Sequence, residues 1–248
     1  MDDSTRRTAV VTGASAGIGA ATAIRLGAEG FDVILGARRL EKLEEIATRC
    51  GGRALELDVT NPDSVVAFCE AIEHVDVLVN NAGRASGLDP IAEIEDERVR
   101  IMWETNVMGL LRVTRGLLAK LRASGDGHIV NVGSTAGMET YPGGGGYTAS
   151  KHAVRAINDT LRKELLGEQV RVTLVNPGLV ETEFSMVRYE GDETKAKKTY
   201  EGLQPLTADD IADCIAWAVT RPPHVDIDEI VVRPIAQATS MMIAREPN

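Results

Sequence analysis

Tyr147, Lys151 and Ser134 are the residues of this chain whose types and spacing could do chemistry together. On a helix, the i, i+4 spacing of Tyr147-Thr-Ala-Ser-Lys151 puts a phenol and an ammonium on one face, ~5–6 Å apart at their Cβ atoms. A free tyrosine titrates near ~10 and is a poor base at neutral pH, whereas a fixed positive charge beside it favours the phenolate. A tyrosine so placed can act as acid or base on an alcohol or a ketone. Y-x-x-x-K also arises by chance on surface helices, so its meaning depends on what the rest of the chain brings to it.

The elements that would position this pair alternate along the chain. From Thr8, TAVVTGASAGIGAATAIRLGAEG reads as strand, tight turn and helix. Gly13, Gly17 and Gly19 have G-x-x-x-G-x-G spacing. Residues without a Cβ let the backbone turn sharply and approach a ligand, and the helix N-terminus that follows offers free N–H groups to a pyrophosphate. FDVILGARRLEKLEEIATRC repeats the strand-helix pattern. Its strand tip carries Arg38 and Arg39 where dinucleotide folds usually place an acid for the ribose 2′-hydroxyl. An arginine pair suits a 2′-phosphate through fork-shaped, charge-assisted hydrogen bonds, so the turn reads as NADP(H)-binding; the bland alternative is an exposed basic turn.

RALELDV is expected to be a third strand ending at Asp58, within reach of an adenine, with a helix from the Asn61-Pro62-Asp63 cap to about Glu73. VDVLVNNAG is a fourth strand, whose Asn80-Asn81-Ala82-Gly83 end can brace the sheet, line a cofactor, or both. Residues 91–123 read as mostly helical, with Asn106 in an apolar-periodic stretch, where an amide either caps, kinks or serves a site. GHIVNVGS supplies a strand ending at Ser134. The glycine run 143–146 before Tyr147 suggests a close or mobile approach to ligand. VRVTLVNPG ends at Pro177-Gly178, a mixed-charge stretch at about 183–205 reads as a substrate lid, a helix opens at Thr207-Ala-Asp-Asp, and DEIVVRP is a last strand.

Seven strands alternating with helices imply an α/β fold, one doubly wound Rossmann-type domain over residues 1–248. Its parallel sheet has helices on both faces and its ligand site lies at the strand carboxyl ends. No linker, repeat or charge block divides it. A net charge of −10 argues against nucleic acid or an anionic membrane as partner. The N-terminus is polar and no apolar run approaches the ~18 residues of a span, so a cytoplasmic chain is expected. Cys50, Cys69 and Cys214 form no C-x-x-C pair and read as reduced thiols. The four histidines lack metal-ligand spacing, and His152 reads as a helix-surface residue, so no metal site is expected.

Thr12-Gly-Ala-Ser-Ala-Gly-Ile-Gly19, Asn80-Asn-Ala-Gly83, Asn106, Ser134, Tyr147-x-x-x-Lys151 and Pro177-Gly178 occur in this order and together resemble the short-chain dehydrogenase/reductase family over roughly residues 8–234. GARRLEKLEE and VNPGLVETEFSMVRYEGD are similar to the NADP-dependent 3-hydroxy acid (serine or allo-threonine) dehydrogenases. The resemblance implies that Tyr147 is the proton-transfer residue, that Lys151 lowers its pKa and holds the nicotinamide ribose, that Ser134 bonds the reacting oxygen, and that Asn106 positions a relay water. It also implies a pyrophosphate loop at Gly13, Ser15, Gly17, Ile18 and Gly19, and a 2′-phosphate clamp at Arg38 and Arg39. Adenine contacts fall at Asp58 and Val59, and a nicotinamide wall at Asn80, Ala82, Gly83, Pro177, Gly178, Val180 and Thr182. A homotetramer built on two long central helices is a further implication. For a hydroxy-acid carboxylate, Arg188 in the lid is the expected anchor and Arg84 the second choice; a solvent-facing charge is the alternative for Arg188. Reduction of an uncharged ketone or aldehyde is the rival activity. A non-turnover dinucleotide sensor would be expected to lack Tyr147 or Lys151, and both are present.

Overall fold

The computed structural model describes residues 6–246. Seven parallel strands form one sheet in the order β3-β2-β1-β4-β5-β6-β7. They are β1 (Thr8–Thr12), β2 (Asp32–Ala37), β3 (Arg53–Glu56), β4 (Val77–Asn80), β5 (Gly127–Val132), β6 (Val170–Pro177) and β7 (Glu229–Val232). Successive side chains of a strand point to opposite faces, and a parallel sheet buries both in its middle, which is why β1, β2 and β4 read as apolar runs, whereas the edge strand β3 (RALE) exposes Arg53 and Glu56. Val11, Val33, Leu35 and Val79 pack on one face against α1 (Gly17–Ala28), α2 (Leu40–Cys50) and α9 (Ala208–Val219), through Leu26, Leu43, Ile211 and Ile215. Val10, Ile34, Leu78 and Ile129 pack on the other against α3 (Pro62–Glu70) and α5 (Gly109–Ala123), through Val65, Phe68, Val113 and Leu117. The strand order reverses between β1 and β4, which opens a crevice at their carboxyl ends.

The remaining helices are α4 (Asp96–Trp103), α6 (Gly145–Glu164), α7 (Glu183–Arg188) and α8 (Glu193–Lys198). Several boundaries differ from the sequence expectation, each for a local reason. β3 stops at Glu56, because Asp58 leaves the ladder to accept hydrogen bonds from the Thr60 N–H (2.9 Å) and Oγ1 (2.7 Å). α3 stops at Glu70, short of Glu73. The expected 91–123 helix begins only at Asp96, where Asp96 and Glu97 suit the positive end of the dipole, and is then interrupted by a π-helical turn, Glu104–Met108, that contains Asn106. No helix of the described residues is long and apolar enough to cross a membrane.

The 183–205 segment is largely the pair α7 and α8, joined through Glu190 (φ 54°) and Gly191 (φ 91°). α9 is capped, as expected, by Thr207. The Asp210 N–H donates to Thr207 Oγ1 (3.3 Å) and the Thr207 N–H to Asp210 Oδ2 (2.7 Å). This reciprocal cap fixes where the helix that packs on α1 begins, and so supports the loop ahead of α1. Thr207→Ala is expected to lower unfolding free energy by about 1 kcal/mol in a urea titration.

Candidate active site

α6 places Tyr147 and Lys151 one turn apart at its buried N-terminal end. The glycine run before them serves packing rather than ligand approach, which corrects the sequence expectation. A Cβ on Gly144 would fall 2.4 Å from the Tyr141 ring, one on Gly145 2.2 Å from Ile91, and one on Gly146 2.5 Å from Met102. Gly143, at φ 75°, turns the chain against the Leu88 backbone. The loop can therefore press α6 onto the 88–102 segment closely enough to bury both reactive side chains.

Burial moves these two groups in opposite directions, because dehydration always penalises the charged form. The Tyr147 phenol is pushed up to about 12; burial dominates, the Arg188 charge opposes it, Tyr141 adds to it, and a hydrogen bond from Ser134 pulls it back. Lys151 falls to about 8, driven by burial. Its Nζ donates to the Val132 carbonyl at 2.9 Å and stands 6.0 Å from the Tyr147 ring centre. Lys151 thus shares the helix face as expected, but the cation that draws the phenol down in this structure is Arg188.

Ser134 follows β5 and opens a 3₁₀ turn, Thr135–Gly137. Its Oγ accepts from the Ala136 N–H (3.1 Å), and its own N–H donates to Asn176 Oδ1 (3.0 Å). Asn176 Nδ2 in turn donates to Glu229 Oε1 (2.6 Å), which is paired with Arg155. Asn106 is buried, with Oδ1 accepting from the Arg84 N–H (2.8 Å) and Nδ2 donating to the Arg84 carbonyl and to Ser150 Oγ, both at 2.9 Å. Both amide hydrogens are engaged, so this side chain ties the loop after β4 to the catalytic helix.

The glycine loop is held from above by Asn81, whose Nδ2 donates to the Thr12 (2.9 Å) and Gly13 (3.2 Å) carbonyls. Gly13 and Gly17 have φ of 66° and 55°, and a Cβ on Gly13 would meet Ala82 Cα at 2.8 Å. Gly19 lies under the loop, where a Cβ would come 2.4 Å from the Gly13 carbonyl. Ala16 caps α1 without a side-chain hydrogen bond, so no side chain competes for the first helix N–H groups. Asn80 braces the sheet: Nδ2 donates to Thr114 Oγ1 and Asn131 Oδ1, both at 2.9 Å and buried, and the residue is not among those lining the crevice. Val59 is likewise turned inward, packing beside Gly109.

A crevice of about 500 Å³ brings together Gly13, Gly17, Ile18, Arg39, Ala82, Gly83, Ser134, Tyr147, Lys151, Pro177, Gly178, Val180, Thr182 and Arg188. Ser15 lies at its rim, its Oγ accepting from Arg39 Nε (3.2 Å) and Nη2 (3.1 Å). Arg38 is exposed and its charge acts on Asp58 and Arg84. Asp58 lies below its ordinary value, since the Thr60 hydrogen bonds and Arg38 outweigh the upward pull of burial.

Arg188 faces inward, which removes the solvent-facing alternative. Its guanidinium carbon is 4.9 Å from the Tyr147 ring centre and 5.4 Å from that of Phe184, and Nη2 donates to the Tyr141 hydroxyl at 3.3 Å. Its Nε is buried without a hydrogen-bond partner among the described residues. Arg84 does not line the crevice; it lies near Arg38 and Glu190. Sequence reasoning missed Tyr141, Phe184 and Tyr200, and a C-terminal strap of Gln237, Ser240, Met241, Ile243 and Arg245 that completes the wall. The strap has no periodicity to announce it; it is fastened by Gln237 Oε1, which accepts from the Leu179 N–H (2.9 Å), and by Arg245, which donates to the Thr199 carbonyl (3.1 Å).

A glycine cradle, a paired serine and tyrosine, and a buried lysine at the switch point of a parallel sheet suit a dinucleotide-dependent enzyme that works on a carbon–oxygen bond. The family description "short chain dehydrogenase" matches residues 7–193, and this chain belongs to that family as an NADP-dependent oxidoreductase acting on CH–OH groups. It is 53% identical over 242 residues to an uncharacterised oxidoreductase of Mycobacterium tuberculosis, spanning 98% of this chain and 96% of that one. It is 38% identical over 251 residues to an NADP-dependent 3-hydroxy acid dehydrogenase of Schizosaccharomyces pombe, 97% of each. Among solved structures, the closed form of a serine dehydrogenase complexed with NADP+ superimposes with a TM-score of 0.91 at 38% identity, covering 97% of this chain and 100% of that chain.

The lowered Lys151 pKa makes a stability prediction. Between about 8 and its ordinary 10.5, the unfolded chain holds a proton on this lysine that the folded chain does not, so folding gains as pH rises. Measured by urea titration, the stability difference between the wild type and Lys151→Met is expected to move in favour of the wild type across that window, by at most about 1.4 kcal/mol per pH unit. A difference independent of pH would contradict the assigned burial.

Proposed function

We propose that this chain is an NADP-dependent dehydrogenase of short 3-hydroxy acids, of the kind represented by serine, allo-threonine or 3-hydroxypropanoate. The observation that carries the reading is the Arg188 guanidinium, held inward above Tyr147 with an unpaired Nε. A carboxylate bound there leaves its hydroxyl-bearing carbon a short chain away, beside the phenol. The names of the fission-yeast relative and of the NADP+-bound structural neighbour support the same cofactor and substrate class.

The residues present fit the dinucleotide. The positive-φ glycines and the uncapped start of α1 suit its pyrophosphate, and Arg38 and Arg39 with Ser15 suit its 2′-phosphate. When bound, NADP supplies the hydride chemistry. As the phenolate, which the Arg188 charge favours, Tyr147 takes the proton from the substrate hydroxyl during oxidation, and as the phenol it gives one back during reduction. Ser134 hydrogen-bonds the same oxygen and holds it against the phenol; Lys151 presents its ammonium to the nicotinamide ribose and stabilises negative charge developing nearby. Asn106 acts as a positioning residue through Arg84 and Ser150. Asp58 would border the adenine, Pro177, Gly178, Val180 and Thr182 would wall the nicotinamide, and 183–205 would act as the lid of a single domain. We further propose a homotetramer, with exposed Trp103 on α4 in a helix-paired interface.

Arg188→Leu is expected to raise KM for 3-hydroxypropanoate at least tenfold while leaving KM for a neutral secondary alcohol within about twofold. Equal effects on both would favour the rival reading, reduction of an uncharged ketone. Arg38→Asp combined with Arg39→Ala is expected to cut selectivity for NADP(H) over NAD(H) by several-fold to a hundredfold, the value of ~1–3 kcal/mol for charged hydrogen bonds. Unchanged kcat/KM ratios would reduce the arginine turn to surface.

A further inference from the structure

Glu183 has no part in the scheme above, yet it joins the two ends of the crevice. Its Oε2 accepts from Arg39 Nη1 at 2.8 Å and its Oε1 from Lys42 Nζ at 3.1 Å, a pairing that also holds its carboxyl below the ordinary range. The other edge of the same guanidinium, Nε and Nη2, is spent on Ser15 Oγ in the glycine loop. Arg39, half of the proposed 2′-phosphate clamp, thus already holds an anion, and that anion belongs to the lid.

Glu183 is the first residue of α7 and Arg188 the last. Six residues of helix span ~9 Å, so a shift at one end of this short rod is felt at the other. Thr182, just ahead of it, rests against Gly17, where an added Cβ would meet its side chain at 3.3 Å. A 2′-phosphate and the Glu183 carboxylate ask for the same donors, and two anions at a few ångströms repel. Both existing ion pairs are about half exposed, with side-chain exposures of 47% to 51%, and exposed pairs are weak enough to be exchanged for a stronger, doubly charged partner.

We propose that Glu183 is a cofactor-specificity residue that acts by competition: it occupies Arg39 and Lys42 until a 2′-phosphate displaces it, and its displacement resets α7 and with it the Arg188 anchor over Tyr147. The phosphate is then read twice, once by the clamp and once by the lid. Lys42 becomes a third cation of the clamp. This inference rests on the NADP and Arg188 reading above and has its own point of failure.

Calorimetric binding of two cofactor fragments to the full chain tests it, with 2′,5′-ADP carrying the phosphate and 5′-AMP lacking it. Glu183→Gln, an isosteric change at a solvent-facing position, is expected to tighten 2′,5′-ADP about three- to tenfold and to leave 5′-AMP within about twofold. Hydrogen exchange supplies the second readout. In the wild type, 2′,5′-ADP but not 5′-AMP should change the exchange of amides 183–188, and in Glu183→Gln that phosphate dependence should vanish. Unchanged or weaker 2′,5′-ADP binding by the variant overturns the competition, and a phosphate-independent exchange pattern in the wild type overturns the coupling to the lid. If the wild type binds 2′,5′-ADP no more tightly than 5′-AMP, the NADP reading falls first and the inference with it.

Discussion

Burying a phenol and an ammonium one helical turn apart is the constraint from which the rest of the site follows. Water would otherwise stabilise both charged forms, and its removal sets Tyr147 near 12 and Lys151 near 8. Each group then depends on what the fold puts in water's place. For Lys151 this is the Val132 carbonyl at the end of β5; for Tyr147 it is Ser134 from one side and the Arg188 cation from the other. Those partners come from a strand end, a 3₁₀ turn and a short helix far along the chain, so the sheet has to deliver them to one point. The crevice at the carboxyl ends of β1, β4, β5 and β6 is where it does so.

This arrangement gives α7, in the proposed lid, a double duty. Arg188 electrostatically favours the phenolate and is also the cation that a substrate carboxylate would neutralise. Substrate binding would therefore alter the driving force for proton transfer as well as the position of the reacting carbon. The opposite end of the same helix is bonded through Glu183 to Arg39 and Lys42, the proposed cofactor clamp. On the proposed reading, cofactor, substrate and general acid–base residue would be connected by six residues of backbone rather than by a chain of indirect contacts.

Much of this was legible in the sequence, and the reason differs from part to part. The glycine loop could be read because positive φ at Gly13 and Gly17 admits few other residues, and Tyr147 with Lys151 because helical spacing alone puts them on one face. The strands could be read because burial on both faces leaves apolar runs in β1, β2 and β4, and because turn residues and helical patterns separate all seven. What escaped depends on contacts between residues distant in sequence. The Arg39–Glu183 pair joins positions 144 apart, and the C-terminal strap reaches the crevice without any periodic pattern. The glycines at 143–146 misled, since an absent Cβ signals a close approach without saying whether protein or ligand makes it. Asn106 was noticed as an amide out of place, but neither the π-helical turn around it nor its bonds to Arg84 and Ser150 could be derived from its position in the chain.

The account rests on Tyr147 moving the proton while the fold and the cofactor cradle stand without it. Tyr147→Phe keeps the ring packed against Phe184 and beneath Arg188 and removes only the hydroxyl. Steady-state oxidation of 3-hydroxypropanoate with NADP+, alongside calorimetric binding of NADP+ to the same variant, is the most direct measurement. A fall in kcat of at least about a hundredfold is expected, as for loss of a general acid–base group, with NADP+ affinity within about threefold of the wild type. Turnover retained within a few-fold would contradict it.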